Sequence, residues 1–459
     1  MIHWLQKETG GLLVLCGLAI AVLLVLIIRV KLEPFIALLI SGLLLGLAAG
    51  LPVSKLVGTA LKSGDSILET GFGGILGHIA VIIGLGTVLG AILEASGGAE
   101  VLTRKLLSTF GERGAPVAMG LAGLIFGIPV FFDIGIFVLA PLVYVAARRG
   151  GRSLVLYALP LLAGLSMTHA FLPPHPGPVA IAGLLGVDMG WIIVMGLACG
   201  LPAFAVAGIL WPTWIGKRVM VEVPADFVAA EPDEDHRPVS LGLVGAIIGI
   251  PLLLILGATF SNVWAPKSAV TPYLTFLGNP SIALTIAVLL AFWLLGIRRG
   301  MTGTELAALT GASLKPIGMI LLVVGAGAFF GKVISATGVG AALAGTLKSA
   351  GLPTIVLAYL ISCGLRLAQG SATVAIVTTG GIVAPLVAAD GLSQPRIALV
   401  ACAIAAGSII ASHVNDGGFW IVSRYFNMSV KDTLKTWTVL ETILSVVGFA
   451  MAGLLSLVL

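Results

Sequence analysis

The chain has 459 residues, 58% of them apolar and 10% charged, with a mean hydropathy of +1.14, which is too little charge to cover a water-soluble surface. Its net charge of +5 is scattered over short segments between apolar runs, so it forms no basic face and no nucleic-acid partner is expected. The apolar runs are continuous rather than alternating, which excludes barrel strands and leaves an all-α polytopic membrane protein embedded in a lipid bilayer.

In chain order, runs long enough to cross ~30 Å of hydrocarbon as helices cover residues 11–30, 34–53, 71–94, 153–187, 190–212, 239–260, 280–297, 315–336, 394–415 and 437–459. The first has Arg29 and Lys31 behind it, the reverse of a signal peptide, so it is expected to remain as a transmembrane helix. Two further segments, 115–147 and 353–390, are shorter than the ~40 residues that two crossings need, and each is interrupted near its middle. Both are placed as re-entrant hairpins, whose open backbone is tolerable where protein and not lipid surrounds it. The expectation is about ten full crossings plus two re-entrant hairpins. Most of the 25 basic residues then fall on one face, which the positive-inside rule makes cytoplasmic, with both termini external.

The halves repeat. Gly90 and Gly331, Ala140-Pro141-Leu142-Val143 and Ala384-Pro385-Leu386-Val387, and Thr168-His169 and Ser412-His413 correspond at a register of 241–244 residues. One hairpin entering from each side makes 34–212 and 280–459 inverted repeats, a pattern of transporters whose substrate sits where the breaks meet. Residues 1–33 are then an additional N-terminal helix, and 213–279 a cytoplasmic linker with a connecting helix. The hydrophilic stretch 217–238 reads as a solvated connector. Cys16, Cys199, Cys363 and Cys402 lie inside apolar runs without CxxC spacing and read as core residues, so neither a disulfide nor a metal or other cofactor is expected.

Polar groups are costly inside a bilayer and mark the candidate chemistry. In Gly127-Ile128-Pro129-Val130-Phe131-Phe132-Asp133, proline and glycine allow two half-helices to meet at a tip, where Asp133 either caps the outgoing helix or serves the site. Thr168-His169 precedes Pro173, Pro174, His175, Pro176 and Pro178, a run that no helix interior accommodates and that frees backbone groups to bind something. The two histidines lack metal-ligand spacing. In the second hairpin, Arg366 precedes Gly370-Ser371-Ala372-Thr373, where a half-helix starting near Gly370 would aim its amides at an anion. Arg366 is either that anion's counter-charge or a structural group. Finally, Ser412-His413-Val414-Asn415-Asp416-Gly417-Gly418 is either a helix end terminated by the two glycines or the partner of the Thr168-His169 break.

HAFLPPHPGP at 169–178, PVFFDIG at 129–135, GSATVA at 370–375 and SHVNDGGFW at 412–420 resemble the motifs of the gluconate permease (GntP) family, and the likeness runs through essentially the full chain. The resemblance implies a secondary transporter of the bacterial inner membrane that imports gluconate or a related small carboxylate. It further implies proton symport, an elevator-type motion and a homodimer. By motif position it implies substrate contacts at Thr168, His169, His175, Ser371, Thr373, Ser412, His413 and Asn415, and proton coupling at Asp133 and Asp416. Family members also take D-serine and other sugar acids, so a D-serine transporter is the near alternative. A passive anion channel is the alternative of another class. An intramembrane hydrolase built on Asp133 and the histidines lacks any nucleophile motif, and no enzymatic activity is expected.

Overall fold

Backbone in hydrocarbon must satisfy its own hydrogen bonds, and apolar runs of this length do so as helices. The computed structural model describes residues 2–59, 64–223, 239–315, 317–339, 342, 346, 351–413 and 416–459. Among these, nine helices are long and apolar enough to cross a membrane, and no β-strand forms. Most of the hydrophilic connector, residues 224–238, lies outside the described residues.

The first third of the chain forms α1 (Ile2–Lys7), α2 (Thr9–Ile28), α3 (Pro34–Ala48), α4 (Val53–Val57) and the long α5 (Ile67–Ala95). Helix α6 (Gly98–Gly127) is kinked at Gly111, where φ is +65°, and meets α7 (Phe132–Gly150) through a four-residue break. Helix α8 (Val155–Phe171) stops ahead of Pro173 and Pro174, and α9 (Pro176–Leu185) resumes with proline in its first turn, where no amide is missed. Then come α10 (Met189–Phe204), α11 (Trp211–Ile215), α12 (Leu241–Trp264), α13 (Thr271–Leu277), α14 (Pro280–Ala291), α15 (Gly303–Leu314) and α16 (Ile317–Ala336). The last third holds α17 (Thr354–Gln369), α18 (Ala372–Asp390), α19 (Gln394–Ile409), α20 (Gly417–Tyr425), α21 (Val430–Thr433) and α22 (Val439–Val458).

Several expected boundaries move. The run at 34–53 yields a helix of only 15 residues, because Gly50 and Pro52 end it early. The run at 394–415 yields 16 residues and unwinds from Ile410. Conversely, α18 in the second interrupted segment has 19 residues and is itself apolar enough to span. Apolar content shows where a helix can lie; glycine, proline and hydrogen bonds beyond its end decide where it stops.

The order of elements recurs between the halves. Helices α6, α7, α8 and α9, with breaks before α7 and α9, correspond to α17, α18, α19 and α20, with breaks before α18 and α20. Helix α6 packs closely on α8 as α17 does on α19. Both contacts depend on a glycine: a Cβ at Gly164 would lie 2.5 Å from the Leu124 nitrogen and 2.6 Å from the Gly120 oxygen, and one at Gly407 would lie 2.7 Å from the Tyr359 oxygen. Backbone cannot swing aside as a side chain can. Gly164→Leu is therefore expected to force α6 and α8 apart, at a cost of about 3 kcal/mol, whereas Gly453→Leu meets nothing within 4 Å and should be neutral. Thermal unfolding of the two purified variants checks this, and equal midpoints would reject it.

All four cysteines are free and buried in the core. Large apolar side chains also cover the outside, including Leu253, Leu289 and Leu457, as a lipid-facing surface requires. Exposed Trp264 and Tyr273 flank the α12–α13 turn, a placement suited to the bilayer interface.

Candidate substrate site

A cavity of ≈ 400 Å³ opens where the helix breaks come together. The first break ends at Phe131, which begins α7 without any side-chain cap. Asp133 is thus not the cap that its sequence position allowed. It lies within the first turn of α7, exposed and lining the cavity, where an acidic group also complements the helix dipole.

In the second interrupted segment a helix starts just after Gly370, as expected, but with 19 residues it is long enough to span and is not a half-helix. Gly370, at φ +83°, terminates α17 in a conformation that costs glycine little, and the Ser371 hydroxyl caps α18 by accepting from the Val374 amide at 3.4 Å. Ser371, Ala372 and Thr373 line the cavity. Asp416 caps α20, its Oδ1 accepting from the Gly418 amide at 3.0 Å. Gly417 and Gly418 therefore start a helix; the reading of them as terminators is corrected. Gly417 and Gly418 line the cavity, and with no side chain at Gly417 nothing of that residue shields its amide, whereas the Gly418 amide is taken by Asp416.

Arg366 joins these pieces. Its guanidinium donates to the Gly370 carbonyl and to the Asp416 carboxylate, an ion pair whose side chains are 5% and 13% exposed. Arg366 therefore has the structural role, holding the two breaks together, and it also lines the cavity. Asp416 additionally accepts from the Ser412 hydroxyl, which in turn accepts from Trp437 Nε1 at 2.8 Å. Trp437 stacks on Phe132 with ring centroids 5.4 Å apart, which closes one wall.

The residues assigned from sequence divide into three groups. Asp133, His169, Ser371, Thr373 and Asp416 line the cavity. Thr168, His175 and Ser412 stand behind its wall. Thr168 bonds back to the Gly164 and Leu165 carbonyls at 3.0 Å and packs against Gly127. His175 is buried with Nε2 2.5 Å from the Gly127 carbonyl, so that nitrogen carries the proton and ties the α8–α9 break to the first tip. Its ring lies 4.8 Å from that of His169. His413 contacts the Ala411 carbonyl at 3.0 Å and lies away from the cavity, and Asn415 falls outside the described residues.

Five lining residues escaped the sequence reading: the apolar Ile409 and Ile421, and Ser166, Trp437 and Glu441, which carry polar groups. Glu441 had a visible signal, since it is the lone ionisable residue in the last apolar run. Ser166 and His169 are three apart on α8 and share its cavity face, whereas Thr168 points elsewhere.

Chemically, the N-termini of α7, α18 and α20 converge with a guanidinium, hydroxyls and an imidazole on one cavity, a set of donors suited to an anion. A polar, solute-sized cavity inside a sheath of apolar helices is the organisation of a membrane transporter.

The comparisons specify which kind. The family model described as GntP family permease matches residues 12–458, and the chain belongs to this family. It is 43% identical over 441 residues to a gluconate permease of Pseudomonas aeruginosa, covering 95% of this chain and 96% of that protein. The inner membrane permease YgbN of Escherichia coli is 42% identical, covering 96% and 98%, and the low-affinity gluconate transporter of the same bacterium is 36% identical, covering 95% and 96%. Among solved structures, the YdaH transporter of Alcanivorax borkumensis aligns with a TM-score of 0.62 at 15% identity, covering 92% of this chain and 96% of that one. MtrF of Neisseria gonorrhoeae, described within a class of antimetabolite efflux pumps, aligns at 0.60 and 18%, covering 100% and 97%. These two likenesses speak for the fold alone. The chain is an integral membrane permease and not an enzyme.

Proposed function

We propose that this protein imports gluconate or a closely related sugar acid across the bacterial inner membrane in symport with protons. The observation that carries this reading is the convergence of three helix N-termini and Arg366 on one cavity, together with relatives named gluconate permeases. In this reading the substrate carboxylate is held by Arg366 and the open amides at Gly417 and Thr373. Its hydroxyls meet Ser371, Thr373 and His169, while Thr168, His175 and Ser412 fix the walls. His413 and Asn415 remain assigned by motif position only.

Proton coupling has an electrostatic reason here. Asp133, Asp416 and Glu441 face the cavity against a single guanidinium, so admitting an anion adds negative charge to a site that already has a surplus. Uptake of a proton by one of these carboxylates removes that repulsion. The recurring element order and the sequence register support two repeats; in this reading they are inverted, with 115–147 and 353–390 as re-entrant hairpins, and the distribution of basic residues makes the connector cytoplasmic and the termini external. An elevator-type movement of the hairpin-bearing helices, and assembly as a homodimer, complete the proposal.

Uptake of labelled gluconate into sealed proteoliposomes tests it. With acid outside, accumulation above the external concentration is expected and should collapse when a protonophore is added. Flux that only equilibrates gluconate would instead describe a passive anion channel, and preferential uptake of D-serine would reassign the substrate.

A further inference from the structure

We propose that Glu441 is the residue that carries the coupled proton, an inference that rests on the proton-symport reading. Glu441 sits on α22 one turn beyond Trp437, just after a π-helical stretch at Leu434–Thr438 of the kind that often marks functional positions. Its side chain is 2% exposed, lines the cavity, and leaves Oε1 without a hydrogen-bond partner among the described residues. An ionised carboxylate so placed would pay a large desolvation cost with half its acceptor capacity unmet. As the neutral acid it avoids that cost and presents an O–H to whatever occupies the cavity.

The other two carboxylates are placed differently. Asp416 accepts hydrogen bonds from Arg366, from the Ser412 hydroxyl and from the Gly418 amide. Protonating it would break the unit that joins the two breaks. Asp133 is exposed in the first turn of α7, where the helix N-terminus complements its charge. Glu441 combines burial, an unmet oxygen and access to the cavity.

The elements packed against α22 bring few competing charges. The titratable groups they carry are Tyr157 and His169 on α8, Cys199 on α10, Arg396 and Cys402 on α19, Tyr359, Cys363 and Arg366 on α17, and Lys435 on the π-helical stretch, with Asp416 beside them; Arg396 and Lys435 are exposed, and of these groups only His169, Arg366 and Asp416 line the cavity. Arg366 and Asp416 cancel much of each other's field by pairing. Tyr359 is engaged with Ser445 at 3.1 Å, one turn further along α22. Ser166 on α8 lines the same cavity as Glu441. The cycle follows directly. With the cavity open to the outside, the Glu441 carboxylate takes a proton from external water and the substrate anion binds beside the neutral acid. With the cavity open to the cytoplasm, the anion leaves, the acid returns its proton to cytoplasmic water, and the carboxylate resets.

Glu441→Gln removes the titration while keeping shape and a donor. In proteoliposomes, wild-type protein should accumulate gluconate roughly tenfold per coupled proton for each unit of pH gradient. Glu441→Gln should reach only the external concentration, and its gluconate counterflow should persist but no longer depend on pH. If wild-type uptake ignores the gradient, the symport reading fails and this inference falls with it. If wild type is gradient-driven and Glu441→Gln accumulates equally with the same pH dependence, Glu441 alone is excluded. Should Glu441→Gln not be recovered folded, Glu441→Asp retains an acid in an altered setting. Its transport should keep the coupling with a displaced pH midpoint, and an unchanged midpoint would overturn the assignment.

Discussion

Arg366→Ala is expected to abolish measurable gluconate binding and to destabilise the protein by about 3–5 kcal/mol, the cost of leaving one partner of a buried ion pair alone. The stranded group is Asp416, which caps α20 and is only 13% exposed. The two losses have different origins and can be separated. Combining Arg366→Ala with Asp416→Asn removes the uncompensated charge, so much of the thermal stability should return. The substrate carboxylate would still lack its cation, so affinity should stay at least a hundred-fold below wild type, a factor that corresponds to about 2.7 kcal/mol. Thermal melts and calorimetry on the single and double variants report the two effects independently. Recovery of wild-type affinity in the double variant would make Arg366 a purely structural residue. Arg366→Lys is instructive as well, because a single ammonium cannot reproduce the planar fork that spans the Gly370 carbonyl and the Asp416 carboxylate.

The two histidines should fail in opposite ways. His169 lines the cavity with Nδ1 unpartnered among the described residues, leaving it available to a substrate hydroxyl or carboxylate. His169→Ala is expected to weaken gluconate binding by on the order of ten- to a hundred-fold, the worth of about 1.5–3 kcal/mol for a hydrogen bond to a charged group, with little change in melting temperature. His175 does not line this cavity but holds the Gly127 carbonyl at the first tip. His175→Ala orphans that carbonyl and should cost about 1–3 kcal/mol of stability. Calorimetric affinity and thermal midpoints for the pair decide the matter. Wild-type affinity in His169→Ala would restrict the substrate contacts to the helix N-termini and Arg366.

Much of this protein was legible in the order of its residues. Continuous apolar runs imply helices in lipid, since no other unpaired backbone survives there. Pro173 and Pro174 cannot continue α8, glycine at 370 permits the left-handed turn that ends α17, and the Ser371 position suits a cap; each break is a local consequence of covalent geometry. The register between Thr168-His169 and Ser412-His413 likewise marked where the interruptions lie. Tertiary structure decided which side chains face inward at those breaks. Adjacent residues on a helix point about 100° apart, so of Thr168 and His169 only the histidine reaches the cavity. Across the irregular break after Ile409, Ser412 instead turns inward to Asp416 and Trp437 while His413 turns away. Arg366 reaches Asp416 over 50 residues of sequence, and Glu441 faces Ser166 and His169 only because α22 packs on α8. No local rule links such positions, because a membrane site is assembled from the ends of separate helices whose relative placement is fixed by close backbone packing such as that at Gly164 and Gly407.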